Sequence, residues 1–174
     1  TFNEINSMLH LPFMSGGINT PADQLSDADL YQAMHHELVA SARATAAARE
    51  LAPGAQIGCM ILAMPTYPLT PDPADVLAAL QAEQANFAFG DVHVRGAYPG
   101  YFLRALREKG VELNITEQDR EDLKNTVDFV SFSYYMSTCA TGDPARGERG
   151  EGNILGGVVN PTLPSSEWGW QIDP

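Results

Sequence analysis

Basic residues are scarce. Ten Lys and Arg stand against twenty-two Asp and Glu, a formal net charge of −12. Nucleic acids are held largely by Lys and Arg neutralising phosphates, so the balance argues against such a partner. It argues equally against an anionic membrane face. No apolar run reaches the ~18–20 residues of a membrane span. Cysteine is nearly absent: Cys59 and Cys139 stand far apart, in no CxxC or other ligand spacing, and read as buried, reduced thiols of a cytoplasmic protein. No GxGxxG or phosphate-loop motif occurs, which weakens a nucleotide-binding reading. No cofactor or metal is expected, because His35 and His36 have no carboxylates at ligand spacing and read as packing residues. An initiator methionine is also missing. The chain opens on Thr1-Phe2-Asn3-Glu4 and closes on Asp173-Pro174, and neither end has the polar character of a natural terminus. The expectation is an internal slice of a larger chain.

What is present alternates between strand and helix. Thr1 to Asn6 reads as the tail of a strand, and Met8 to Gly17 as a loop. A helix is predicted over about 30–51, opened by Ser26 or Asp27 as N-cap and ended by Pro53-Gly54. Ile57 to Met64 is a continuous apolar run, as in a strand covered on both faces. Pro65, Pro68, Pro71 and Pro73 make an extended loop, and Asp75 to Phe89 a second helix. Gly90 to Pro99 reads as a loop in which Arg95 pairs with Asp91. Tyr101 to Lys109 is a short helix closed by Gly110. Thr116 to Asn125 is another, opened by a capping box with Asp119 in its third place. Val127 to Ser137 is the next strand, and Thr138 to Ser166 a loop. This order is βαβ logic. It fits an open doubly wound sheet or a (β/α)8 barrel. Polar and aromatic residues gather where strands end, at Asn3-Glu4, Pro65-Tyr67 and Ser133-Tyr135, and that is where a β/α barrel builds its active site.

Thr1-Phe2-Asn3-Glu4-Ile5-Asn6 resembles the acid/base motif of glycoside hydrolase family 1. The resemblance continues through Tyr31 to Ala42, Ile57 to Leu69, Asp91 to Pro99, Asp128 to Ser137 and Ser166 to Pro174, in the family's order. Phe132-Ser133-Tyr134-Tyr135 is similar to the 6-phospho-β-glucosidase branch, where Ser replaces a more usual Asn. The resemblance implies an α/β fold, a partial (β/α)8 TIM barrel from the end of strand 4 to the loop before strand 7. Residues 1–174 would then be the central segment of one catalytic domain. The nucleophilic glutamate and the phosphate-holding loop would lie outside it.

By the same resemblance Glu4 is the general acid/base of a retaining glycosidase, which works with a second carboxyl ~5–5.5 Å away. Asn3 donates to the sugar 2-hydroxyl, and Tyr135 bonds the nucleophile. Ser133 reaches the sugar less directly than an amide would, and Trp170 lines the leaving-group subsite. Tyr134 is expected to face away and pack. The implied partner is a phosphorylated β-glucoside. Exposed strand edges raise self-association as a homo-oligomer. Three readings stand beside this one: a barrel segment inactive alone, a β-glucosidase without phosphate specificity, and an unrelated βαβ binding module.

Overall fold

A computed structural model describes residues 1–148 and 157–174. The chain forms two compact units, one of residues 1–62 and 87–133, the other of 63–86 and 134–174.

The first unit is built on helices. Strand character ends early: Asn3 makes one parallel bridge to Met60, and Ile5–Leu9 is a 3-10 helix where the sequence predicts the end of a strand tail at Asn6 and a loop from Met8. Helix α1 (Pro12–Gly16) follows where a loop is expected, with Pro12 in its first turn, a place that needs no N–H. Helix α2 (Asp27–Leu51) opens at Ser26 with a reciprocal capping box to Asp29. Each of these two residues satisfies an amide that the first turn leaves unpaired. Its buried residues Tyr31, Met34, Leu38, Ala42 and Thr45 recur every three or four positions, one stripe facing the core.

Strand β1 (Gly58–Ala63) buries Cys59, Ile61, Leu62 and Ala63, close to the apolar run expected. Strand β2 (Thr66–Pro68) belongs to the second unit. Helix α3 (Pro73–Arg95) is longer at both ends than its prediction. Gly90 was expected to break it, at a propensity cost of ~1 kcal/mol. Phe89 and Val92, both almost fully buried, outweigh that cost by packing. The Asp91–Arg95 pair is present at 3.0 Å, one helical turn apart. Gly96 stops the helix with φ +70°, and a Cβ there would meet the Leu123 carbonyl at 2.9 Å.

Helices α4 (Gly100–Glu108) and α5 (Glu117–Leu123) follow. Thr116 caps α5 with the predicted box to Asp119. Phe102 lies at the centre of an aromatic cluster. It meets Tyr31 and Phe89 edge-on and stacks on Tyr98, with centroids 5.6–5.9 Å apart, the geometries that ring quadrupoles favour. His35 is fully buried beside this cluster, between the Tyr98 hydroxyl at 3.0 Å and Asp119 at 3.4 Å. A neutral ring serves both: Nε2–H donates to the carboxylate and Nδ1 accepts from the phenol. Strand β3 (Phe129–Tyr134) pairs with β1.

In the second unit, β2 pairs in parallel with β4 (Thr138–Ala140), Tyr67 opposite Cys139. Both segments were expected as loop. Proline fits the end of a short edge strand, where no amide hydrogen is required. Residues 149–156, within the predicted loop 138–166, lie outside the described residues. Asp75, 1% exposed, accepts from Thr70 Oγ1 at 2.6 Å, Thr141 Oγ1 at 2.7 Å and the Gly142 amide at 3.0 Å. Those bonds, Thr70 and Thr141 foremost, hold its carboxyl down at about 2. They tie the start of α3 to the turn after β4. Among the described residues no helix is long and apolar enough to cross a membrane. Both cysteines are free and buried.

Burial lowers the proton affinity of His35, and that of His93 to about 4 from 6.5. Between those pH values the unfolded chain binds more protons than the folded one. Stability should therefore fall as pH drops from about 6.5 towards 4. Replacing His93 by Gln should flatten this slope in denaturant melts between pH 7 and 4.5. An unchanged slope would exclude His93 as its source.

Candidate active site

Glu4 sits where the first strand stops. Its amide donates to the Met60 carbonyl of β1 at 3.0 Å. Its own backbone then turns to φ 50°, ψ 51°, and it is the single non-glycine at positive φ among the described residues. That left-handed geometry costs an L-residue ~1–2 kcal/mol, so it persists only where neighbours enforce it. The Glu4 carbonyl accepts from both the amide and the hydroxyl of Ser7, at 2.8 and 2.7 Å. Ile5 and Met8 are buried in the core at 1% and 0% exposure. Asn6, also buried, bonds both backbone groups of Leu62. Glu4 itself is half-buried and Asn3 is exposed. Strand alternation does not relate these two side chains, because the chain leaves the strand between them.

Ser133 is half-buried on β3. β1 therefore carries the Asn3 bridge, and β3 is its sheet partner; the Ser131 hydroxyl donates to the Cys59 carbonyl at 3.0 Å. Asn3, Glu4 and Ser133 thus belong to the first unit, on segments that pair with β1.

Tyr135 and Trp170 come together in the second unit, ring centroids 5.9 Å apart and tilted by 58°. They line an open pocket of about 300 Å³ with Ser166, Gln171, Ile172 and Asp173. The turn carrying Trp170 is tightly held. Ser165 and Gln171 form an antiparallel bridge. The Ser166 amide donates to the Trp170 carbonyl at 2.8 Å, and the Trp170 amide to the Ser166 hydroxyl at 3.2 Å. Gly169 supplies the positive φ, +80°, that the turn requires. Gln171 is 3% exposed. It accepts from the Asn160 amide and donates to the Ser165 hydroxyl at 3.0 Å.

Two phenols close on the next residues. Tyr67 donates to the Asp173 carboxylate at 3.1 Å and Tyr134 to the Asp173 carbonyl at 2.6 Å. Tyr134 was expected to pack away from the site. It is instead 40% exposed, and its hydroxyl pins the segment beside the pocket. The bond to Asp173 raises the Tyr67 phenol, and burial foremost raises that of Tyr134. Trp168 is 77% exposed and lies outside the pocket lining.

Tyr67 is named from sequence only as a strand-end residue; Asn6, Ser7, Gln171 and Asp173 are not singled out. Asn6 and Ser7 carry a visible signal, as polar residues between the apolar Ile5 and Met8. Gln171 and Asp173 act through partners several to many residues away, a pairing that sequence does not display.

The profile described as Glycosyl hydrolase family 1 matches residues 1–174. The chain belongs to glycosyl hydrolase family 1. Among family members, it is 56% identical to a 6-phospho-beta-glucosidase of Clostridium longisporum and 57% to one of Dickeya chrysanthemi. It is 53% identical to a phospho-cellobiase of Klebsiella oxytoca. Each match covers all of this chain and 37% of the relative, so the chain spans little more than a third of their length. A family 1 β-glucosidase from Thermotoga maritima superimposes with a TM-score of 0.76 at 25% identity, over 99% of this chain and 37% of that one. A β-glucosidase from Exiguobacterium marinum gives the same score at 21% identity, over 98% and 38%, a likeness of fold alone. The fold is thus a partial α/β segment of the barrel type that the family 1 β-glucosidases share.

The two phenol bonds to Asp173 are expected to hold the Trp170 segment. Each is worth at most ~1 kcal/mol at such exposure. In a Trp168→Phe background, the pair Tyr67→Phe and Tyr134→Phe should raise acrylamide quenching of Trp170 fluorescence. Quenching that stays the same would show that Gln171 and the turn suffice.

Proposed function

We propose that this chain is the acid/base half-site of a retaining 6-phospho-β-glucosidase, with Glu4 as its proton donor. The observation that carries the reading is the geometry of Glu4. A carboxylic acid stands at a strand end, half-buried, in an enforced left-handed turn. Strain of this kind clusters at functional sites. The substrate class is supported by five relatives, all named for phosphorylated glucosides or phospho-cellobiose, at 49–57% identity. The β-glucosidases among the solved structures are only 21–25% identical, so phosphate specificity is the better reading.

The chemistry is a double displacement. A second carboxylate, supplied from outside these residues, attacks the anomeric carbon. The bond to the leaving oxygen breaks as Glu4 gives that oxygen its proton. Water then enters, Glu4 takes its proton, and the glycosyl–carboxylate bond is hydrolysed. Proton transfer by a positioned group contributes ~10²–10⁴-fold.

Asn3 donates to the sugar 2-hydroxyl, a bond that strengthens as charge develops at the transition state. Ser133 meets the sugar from β3, on the far side of β1 from Asn3. Tyr135 donates to the attacking carboxylate, and Trp170 offers its indole face to the leaving group. The pocket that both rings help to line, about 300 Å³, is of a size for one sugar or aryl group. Residues 1–174 act as the central segment of a single catalytic domain. A phosphorylated sugar substrate and two reduced thiols fit a cytoplasmic enzyme of carbohydrate metabolism.

The test uses a full-length enzyme carrying this segment. Glu4→Gln should lower hydrolysis of 4-nitrophenyl 6-phospho-β-glucoside by about 10²–10⁴-fold. Azide, which needs no general base, should restore part of that rate. The 174-residue chain alone should not turn the substrate over. A Glu4→Gln enzyme of near-normal rate, or one that azide leaves unchanged, would refute the assignment.

A further inference from the structure

We infer that Asn6 is a positioning residue for Glu4, its side-chain amide replacing the backbone pairing that the turn at Glu4 takes away from strand β1. The inference rests on the acid/base reading of Glu4. It concerns how that group is aimed rather than what it does.

Among the described contacts, the backbone of this segment pairs with β1 through Asn3 and Glu4. Asn3 bridges Met60, and the Glu4 amide reaches the Met60 carbonyl. A parallel ladder continuing from there would next engage Leu62, two residues on. The left-handed turn and the 3-10 helix 5–9 carry the backbone elsewhere. Without a substitute, both backbone groups of Leu62 would lose that partner in a buried place. Asn6 fills the position. Its Nδ2 donates to the Leu62 carbonyl at 2.8 Å, and its Oδ1 accepts from the Leu62 amide at 3.0 Å. Both bonds are buried, and Asn6 is 4% exposed. A primary amide presents the same donor and acceptor as a peptide unit. Asp lacks the donor, and Ala or Leu lacks both.

Glu4 is therefore gripped from two sides. Its amide is anchored on Met60, and two residues later the chain is anchored again on Leu62. Just past the second anchor, Ser7 takes the Glu4 carbonyl with both its amide and its hydroxyl. The Ser7 hydrogen is committed to that carbonyl, so in the 2.6 Å contact with Ser15 the Ser15 hydroxyl is the donor. With N–H and C=O both held, the Glu4 Cα–Cβ direction is set by the backbone. A proton donor needs that, since small misplacements of a reacting group cost large factors in rate.

The readout is leaving-group dependence. Proton donation matters greatly for a phenol that leaves poorly and little for 2,4-dinitrophenol. In a full-length enzyme carrying this segment, kcat/KM would be measured for a series of aryl 6-phospho-β-glucosides. The enzymes compared are the parent, Glu4→Gln, Asn6→Asp and Ser7→Ala. Asn6→Asp should lower kcat/KM for the phenyl substrate at least about tenfold more than for the 2,4-dinitrophenyl one. Ser7→Ala should shift the dependence the same way by less, and it carries the test if Asn6→Asp does not fold. Glu4→Gln should show the steepest dependence. Equal losses across the series for the Asn6 and Ser7 variants, beside a steep Glu4→Gln, would overturn the inference and leave the acid/base reading standing. A flat series for Glu4→Gln would overturn both.

Discussion

Glu4 adopts a backbone conformation in which the Cβ of an L-residue crowds the following carbonyl, and much of its surroundings serves to hold it there. The segment before it is tied to β1 by the Asn3–Met60 bridge and by the Thr1 amino group on the Gly58 carbonyl, and its own amide is held by Met60. The segment after it is tied to the same strand by a side-chain amide. Ile5 and Met8 drive the following 3-10 turn into the core, where α2, α3, α4 and α5 supply Leu38, Phe89, Phe102 and Leu123. Burial of such side chains, each worth ~1.5–3 kcal/mol, exceeds the ~1–2 kcal/mol of the turn. Packing thus stabilises a local geometry that the residue would not choose alone.

The second unit follows the same rule by different means. Its strands are three residues long, too short to define a loop by themselves. Buried polar side chains complete the work. Asp75 collects three donors from two loops, and Gln171 joins the Asn160 backbone to the turn that carries Trp170. A buried polar group costs stability unless its partners are in place. Each such residue therefore selects one loop conformation over its competitors. Specificity of arrangement, more than added stability, is what they contribute.

Sequence patterning reached the features that depend on periodicity and capping. The Ser26 and Thr116 helix starts, the buried stripe of α2 and the apolar β1 were all legible, because each is written in side chains a few positions apart. It failed where tertiary contact overrode a local signal. Gly90 suggested a helix end, yet Phe89 and Val92 keep α3 helical to Arg95. Ile5 suggested a strand tail and Met8 a loop, yet both lie on the buried face of a 3-10 turn. Prolines 65 and 68 suggested loop, yet the intervening residues pair with β4. Of the candidate site, Glu4, Tyr135 and Trp170 are named through the family resemblance, whereas the contact between the two rings is not. Of the residues that hold them, Asn6, Gln171 and Asp173 meet partners distant in sequence, and Ser7 folds back on the Glu4 carbonyl three residues before it; none of this is written in periodicity or capping.

The central claim is that this scaffold aims the Glu4 carboxyl at a glycosidic oxygen. A crystal structure of a full-length enzyme bearing this segment, bound to an uncleavable sulfur-linked 6-phospho-β-glucoside, would test it most directly. The account predicts Glu4 still in its left-handed turn, Asn6 still on Leu62, and a Glu4 oxygen within hydrogen-bonding reach, about 2.6–3.2 Å or slightly more for sulfur, of the linking atom. A Glu4 carboxyl turned away from that atom, with another acid in its place, would contradict it.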